Sequence, residues 1–374
     1  MTTTRIECCI CGGTKLSTFK KITKLPAYMG VTSKPSREDL FFDQIWGNCG
    51  DCGVLQLLEL LPLDILYSEN HSTEAVGETW NAHHQEFAQF ISATTKNKIV
   101  EIGGSHGELA RRLFQMRKNL EYTFVEPSPG KVPEECRVVV GYIENNLDLV
   151  SKSDSVVHSH VLEHIYTPAN FIIEVASRMK PDSKMFISYP NIEQLLITGG
   201  TNSLNFEHTY FLTPKQLEVI CSNAGLELTR QAQFRKHSYF WELTKTESIG
   251  VSLEIPNIQS KNFLFESLWE SLGEFVLECN KNLENRNVPT FIFGAHVFSQ
   301  GLIALGLNVD LIEAILDNAL EKQNKRLYGT ELQVLNPTCI ANLTSVRVIL
   351  RATHYQEEIK SQLKNINPCV EILE

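Results

Sequence analysis

Short apolar runs alternate with helical periodicity through the middle of this chain. Ile99, Val100 and Ile102 form a brief apolar strand. A glycine-rich turn follows, and Leu109, Ala110, Leu113 and Phe114 then recur at the spacing of one helix face. Residues 122–125, ending in Glu126, read as the next strand, and residues 137–140, 155–157 and 184–188 as three more. Helical stretches separate them, notably residues 169–179. Strand–helix alternation at this rhythm predicts a parallel, doubly wound sheet. The pattern returns near the C-terminus. Residues 289–293 run into a glycine turn at Gly294 and His296, and a helix follows through Gln300, Leu302, Ile303 and Leu305. Strands at 312–316 and 346–350 and a helix at 355–363 complete a second, smaller Rossmann-like unit. The predicted class is α/β, with three domains: 1–70, small and cysteine-rich; 71–247, the doubly wound unit; and 248–374, the second Rossmann-like unit.

A length of 374 residues allows two or three domains at about 150 residues each. Hydrophobic residues make up 43% and charged residues 21%, enough apolar material for packed cores. The net charge of −10, with no Lys/Arg-rich run, disfavours a nucleic-acid substrate. No apolar run reaches the roughly 18 residues of a membrane span. The first residues lack the apolar core of a signal peptide, so a cytoplasmic location is expected.

Five of the ten cysteines crowd the first 52 residues. Cys8-x-x-Cys11-Gly12 and Cys49-x-x-Cys52-Gly53 are two knuckles whose thiolates can converge on one ion, and the trailing glycines permit the positive φ of a tight turn. Cys9 makes the register ambiguous, and Cys8 is preferred because it preserves the spacing. Four sulfurs close a tetrahedral zinc site, so the expected zinc is structural. Reduced pairs without metal are the alternative. A redox pair would need a thioredoxin-like strand before it, and none is predicted.

The loop Glu101-x-Gly103-Gly104-x-x-Gly107 lies where doubly wound sheets bind ligands, at the carboxyl end of the first strand. Glu126 ends the next strand and can accept hydrogen bonds from ribose hydroxyls. Glu144, beyond the third strand, is a candidate for an adenine edge. A dinucleotide fingerprint needs glycine at offsets two and five from Gly103, where Ser105 and Glu108 stand. Glu108 would also face a pyrophosphate badly. S-adenosylmethionine has no phosphate and carries two cationic groups, so it is the expected cofactor. His160-Val-Leu-Glu163-His164 matches the H-x-x-E-H pattern of a zinc peptidase, which needs both histidines on one helix. The segment directly follows a strand, and Pro168 limits any helix crossing it. A strand-end position with His160 lining the cofactor pocket fits better.

Together the knuckles with Gly53-Val-Leu-Gln56, the glycine loop with the 160–164 segment, and residues 290–363 resemble bacterial three-domain sugar C-methyltransferases. That resemblance implies an N-terminal zinc domain, a class I methyltransferase domain and a C-terminal substrate domain. It implies methyl transfer to a nucleotide-linked sugar, commonly at carbon. The family's C3-methylating members carry Tyr-His-Glu-His after the fifth strand. Here the stretch is Asn205-Phe206-Glu207-His208-Thr209-Tyr210, so only Glu207 and His208 carry over, as the acid–base pair. Tyr210 of the same stretch, and Gly294, His296 and Lys322 of the C-terminal unit, become candidates for holding the substrate. Alternatively that unit only braces the fold, with 322–326 as a solvated basic loop, and Glu207 and His208 cap the helix beginning near Pro214. Oxygen or nitrogen acceptors, and a non-catalytic scaffold, are the competing functions.

Overall fold

The computed structural model describes residues 2–66, 78–199, 204–246, 254–284, 287–352 and 355–374. A seven-stranded sheet forms the centre. Its order is Leu226–Phe234, Ser238–Lys245, Lys184–Pro190, Ser155–Ser159, Lys98–Ile102, Glu121–Glu126, Arg137–Val140. The last five run parallel, and Ser238–Lys245 enters antiparallel between Lys184–Pro190 and Leu226–Phe234. The inner strands are buried on both faces, which is why they read as unbroken apolar runs rather than alternating ones. Successive residues supply opposite layers. Ile99 and Val157 pack with Phe87, Leu113 and Phe124 on one side, and Val100 and Val156 with Phe171, Val175 and Leu217 on the other. The chain steps outward from Lys98–Ile102 in one direction and resumes at Ser155–Ser159 on its other flank. A crevice therefore opens at the carboxyl ends of these two strands.

The C-terminal unit is a five-stranded parallel sheet in the order Val334–Leu335, Ala314–Leu316, Thr290–Phe293, Val346–Ile349, Val370–Leu373. The predicted strands and helices of both units are present. The 24-residue helix Ser260–Leu283 buries Phe265, Leu268, Leu272, Val276 and Cys279 in a core shared with the N-terminal segment.

The N-terminal segment is less separate than its cysteine content implied. Its antiparallel sheet, Leu16–Pro26, Phe41–Cys49 and Leu55–Leu57, takes a fourth strand, Tyr210–Phe211, from the central unit. Val31–Thr32 pairs with Arg326–Leu327 of the C-terminal unit. The boundaries expected at 70 and 247 fall outside the described residues.

Of the two alternatives for residues 322–326, a solvated basic loop does not describe Arg326 or Lys322. Arg326 is buried and makes a bidentate ion pair with Asp39 at 2.6 Å on both arms, and its Nε donates to the Lys34 carbonyl at 2.7 Å. Lys322 reaches back to Asp317 at 3.2 Å. No described helix is long and apolar enough to cross a membrane.

Candidate active site

The two knuckles meet. The sulfurs of Cys8, Cys11, Cys49 and Cys52 all lie within 4.8 Å of one another, with Cys8–Cys52 and Cys11–Cys49 at 3.6 Å. Gly12 and Gly53 both sit at φ +71°, the conformation the knuckle turn needs. Cys9 lies outside the group. Burial pushes its thiol up to about 12, and its backbone N–H donates to the Gln56 side chain. Four converging sulfurs, three of them on buried residues, have the chemistry of a closed zinc site. Gln216 donates to the Cys52 carbonyl at 2.7 Å, and the Asn257 amide donates to the Gly50 and Asp51 carbonyls, each at 2.9 Å. The second knuckle is thereby tied to the central unit through Gln216 and to the stretch that follows it through Asn257.

At the crevice, Gly103 N–H donates to the Val125 carbonyl at 2.9 Å as the chain leaves the first strand. Gly103 lies at φ +70°, and a Cβ there would come within 2.5 Å of Val161. Gly104 has Phe124 and the Glu101 carboxylate where a Cβ would sit. The loop is thus pressed between the strand ends, leaving its outer backbone face for a ligand. Glu126 lies beside it at the next strand end. One carboxylate oxygen accepts from Ser105 N–H and the other from Ser128 N–H, both at 3.1 Å. Glu144 is exposed on the short turn Ile143–Asn145.

Glu101 lies behind the loop rather than in it. It is 1% exposed, burial pushes its carboxyl up to about 7, and the Tyr122 hydroxyl donates to it at 2.9 Å.

The 160–164 segment is not a helix carrying two ligands. His160 takes φ +53°, Leu162–His164 is a single 3₁₀ turn, and the next helix starts at Pro168. His160 Nδ1 lies 3.0 Å from Glu163, and its Nε2 lies 2.9 Å from Ser238 Oγ. Burial works to raise the Glu163 carboxyl, but the His160 hydrogen bond and the fields of His160, His164 and His208 bring it down to about 2. It is an ionised carboxylate. Its second oxygen is buried without a hydrogen-bond partner, next to His164 and His208, whose Nδ1 atoms are in the same state.

Glu207 and His208 come to this place from beyond the fifth strand. Asn205 Oδ1 accepts from both of their backbone N–H groups, at 2.8 and 2.7 Å, and so shapes the turn that presents them. The Glu207 carboxylate stands 3.5 Å from His164 Nδ1, and the His164 and His208 rings are 5.1 Å apart. Burial lowers His208 to about 4, with the neighbouring His164 adding to this, so its imidazole is neutral at ordinary pH. Neither residue caps the helix Pro214–Asn223. Thr213 and Gln216 do so with a complete capping box.

Tyr210 lies beneath the site rather than in it. It is 3% exposed in the strand paired to Leu55–Leu57, and its hydroxyl donates to the Leu162 carbonyl. A tyrosine two residues past a histidine in sequence gave no sign of this, because its position follows from an inter-segment strand pairing. In the C-terminal unit, Gly294 at φ +105° and His296 form the turn into Val297–Ala304. The Asp317 carboxylate accepts from Ala295 N–H at 2.8 Å and pairs with Lys322, so Lys322 stands beside the same turn.

Three residues of this region had no sequence signal as a group. His83 lies on the helix Glu78–Ser92, and His237 lies in the turn between Leu226–Phe234 and Ser238–Lys245. Both join His160 around Trp80. The Trp80-x-x-His83 spacing marks one helix face, but nothing local links it to residue 237.

No curated protein matches the chain. Among solved structures, a chain from a complex containing the Haloferax volcanii Trm112 methyltransferase activator is 12% identical, with TM-score 0.37, covering 46% of this chain and 100% of that one. The N,N-8-amino-8-demethyl-D-riboflavin dimethyltransferase RosA from Streptomyces davawensis is 16% identical, with TM-score 0.35, covering 45% and 57%. Human N-acetylserotonin methyltransferase, solved with S-adenosylmethionine, is 13% identical, with TM-score 0.36, covering 50% and 60%. This chain thus spans under two thirds of the length of the last two, and at these TM-scores the likenesses carry nothing about substrate. Residues 74–231 match the family described as a methyltransferase domain. The matched stretch begins ahead of the first central strand and ends within Leu226–Phe234, so it takes in most of the seven-stranded sheet: the central unit of this chain is similar to a methyltransferase domain.

Proposed function

We propose that this protein is a class I S-adenosylmethionine-dependent methyltransferase acting on a nucleotide-linked sugar, with carbon as the acceptor atom and His208 as the general base. The observation that carries it is the group of buried Glu163 with half-buried His164 and His208, whose ligand atoms lie within 4.8 Å of one another and whose Glu163 shares a hydrogen bond with His160 at the strand end. A sulfonium methyl is already activated, so the enzyme's work is to align two reactants and make the acceptor nucleophilic. A carbon next to a carbonyl must lose a proton first. Neutral His208 takes it, and the nearby carboxylates Glu163 and Glu207 stabilise the imidazolium that forms.

S-adenosylmethionine lies along Gly103, Gly104 and Gly107, with its ribose on Glu126, its adenine toward Glu144 and its sulfonium end near His160. Glu101 supports the loop from behind. The C-terminal unit, residues 248–374, holds the nucleotide at the turn of Gly294 and His296, with Lys322 beside it. Residues 1–70 hold one structural zinc on Cys8, Cys11, Cys49 and Cys52.

Asn205 favours a second reading. It stands where the C3-methylating members of the resembling family have tyrosine, and its side chain is spent on the turn. A hydroxyl acceptor, which needs only a mild base, is compatible with that change. Transfer of labelled methyl into a panel of keto- and hydroxy-nucleotide sugars separates the two. Label on carbon supports the first and label on oxygen the second, and no transfer to any sugar overturns both.

A further inference from the structure

We propose that His83, His160 and His237 form a second metal site, for a divalent first-row ion of the zinc type, next to the cofactor loop. One ring nitrogen from each lies within 4.8 Å of the others. The ring centroids form a near-equilateral triangle with sides of 5.2, 5.7 and 5.6 Å. The three side chains come from a helix, a strand end and a hairpin, so their convergence is a property of the tertiary fold and not of local spacing.

His160 and His83 each have one nitrogen held by an oxygen outside the triad, as metal-ligating histidines require. His160 Nδ1 lies 3.0 Å from a Glu163 carboxylate oxygen, so Nδ1 is held from outside the triad and Nε2 is the nitrogen on the side of Ser238, which also contacts His237. His83 Nε2 is held by Ser188 Oγ at 2.8 Å. His83 is fully buried, and its Nδ1 has no hydrogen-bond partner, an unfavourable state that a ligand to that nitrogen relieves. His237 Nδ1 lies 2.5 Å from Ser238 Oγ. The same hydroxyl lies 2.9 Å from His160 Nε2, and it is the group an ion would displace or take as a further ligand. Trp80 stands over all three rings, at 5.2 Å from His83 and 4.9 Å from each of the others, and shields one side.

Imidazole ligands suit zinc, copper, iron and nickel, and three histidines without a thiolate leave a coordination position open. This distinguishes the group from the closed cysteine site. Val161, the residue after His160, packs at Gly103, so the backbone that carries His160 adjoins the cofactor loop. An oxygen of the acceptor is the ligand that suits the open position. That last step rests on the function proposed above, whereas the binding of the ion does not.

The test is metal content and X-ray absorption on the whole protein, purified with zinc and dialysed against metal-free buffer. Expected are about two zinc ions per chain, one with sulfur neighbours at about 2.3 Å and one with nitrogen neighbours at about 2.0–2.1 Å. His237→Ala, in a half-buried hairpin, and His83→Ala should each remove the nitrogen-ligated ion and keep the sulfur-ligated one. Zinc with only sulfur neighbours in the unmodified protein overturns the proposal, as does a nitrogen shell that survives both substitutions. A nitrogen shell without a sulfur shell would sustain this site while removing the cysteine site. Because the readout is structural, failure to methylate any sugar does not affect it.

Discussion

Burial of Glu101 makes one clear prediction for a single side chain. Its carboxyl is pushed from 4.5 up to about 7, so the folded protein holds a proton there that the unfolded chain releases earlier. The resulting stability is fully present below about pH 4.5 and is lost as pH rises through about 7. Glu101→Gln keeps the shape and abolishes the titration, so its melting temperature should vary less with pH across that window than that of the parent. Equal slopes would mean that Glu101 is ionised in the fold. His208 goes the opposite way. Lowered to about 4, it stays neutral as pH falls from neutrality, so the acid limb of kcat/KM should lie near 4 rather than at 6.5. His208→Ala should lower kcat by roughly 10²–10⁴-fold while S-adenosylmethionine affinity, measured by calorimetry, stays nearly intact. A loss of tenfold or less would place the base elsewhere. Glu126 was legible as a candidate because a carboxylate at a strand end stands out in a sequence, whereas Glu207 and His208 became candidates only through the family resemblance. The position of Glu101 behind the loop was not legible, because the side of a strand end that a residue faces depends on the layer packed against it.

Among elements, the strand–loop–helix at 98–116 is the best specified by its own residues. Apolar Ile99 to Ile102, glycines at 103, 104 and 107, and the helix face of Leu109, Ala110 and Leu113 each predict what forms. Gly104→Ala would drive a methyl group into Phe124 and the Glu101 carboxylate, so the loop must shift off its ligand face. Overpacking of this kind costs about 1–3 kcal/mol, or roughly ten- to a hundredfold in cofactor affinity. Titration calorimetry with S-adenosylmethionine checks it, and unchanged affinity would show that the ligand does not depend on this loop. The short strand Tyr210–Phe211 is the opposite case. Two residues make no periodic pattern, and they are a strand only because Leu55–Leu57 offers its edge.

At the scale of the molecule, the N-terminal segment joins the other two units through paired strands and through the Arg326–Asp39 pair. Both partners are nearly inaccessible, and the arginine's remaining donors reach backbone carbonyls. Asp39→Ala leaves that guanidinium buried and uncompensated, which should destabilise the protein by about 3–5 kcal/mol in urea unfolding. A change below about 1 kcal/mol would mean the arginine escapes to water, as exposed pairs do. Chelation of a zinc ion at the four cysteines should lower the stability of the whole chain rather than of an isolated N-terminal part. Cys49, Cys52 and Val54 pack in the same core as Leu217 and Trp241 of the central unit. Two separate melting transitions after chelation would contradict this.

The sequence by itself determined what short range controls. Apolar runs became buried parallel strands, since a strand covered on both faces tolerates little else. Glycines marked the turns at the knuckles and the loop, since positive φ penalises every side chain there. The cysteine spacing picked out the four sulfurs that converge, and the order of strands and helices gave the doubly wound class. Tertiary structure alone decided what long range controls. It placed Tyr210 in a borrowed sheet edge and turned the basic stretch ending at Arg326 into a buried ion pair with Asp39. It brought His83, His160 and His237 together from three elements. Such partners lie far apart along the chain, and no local pattern encodes a meeting that is fixed only when two surfaces pack.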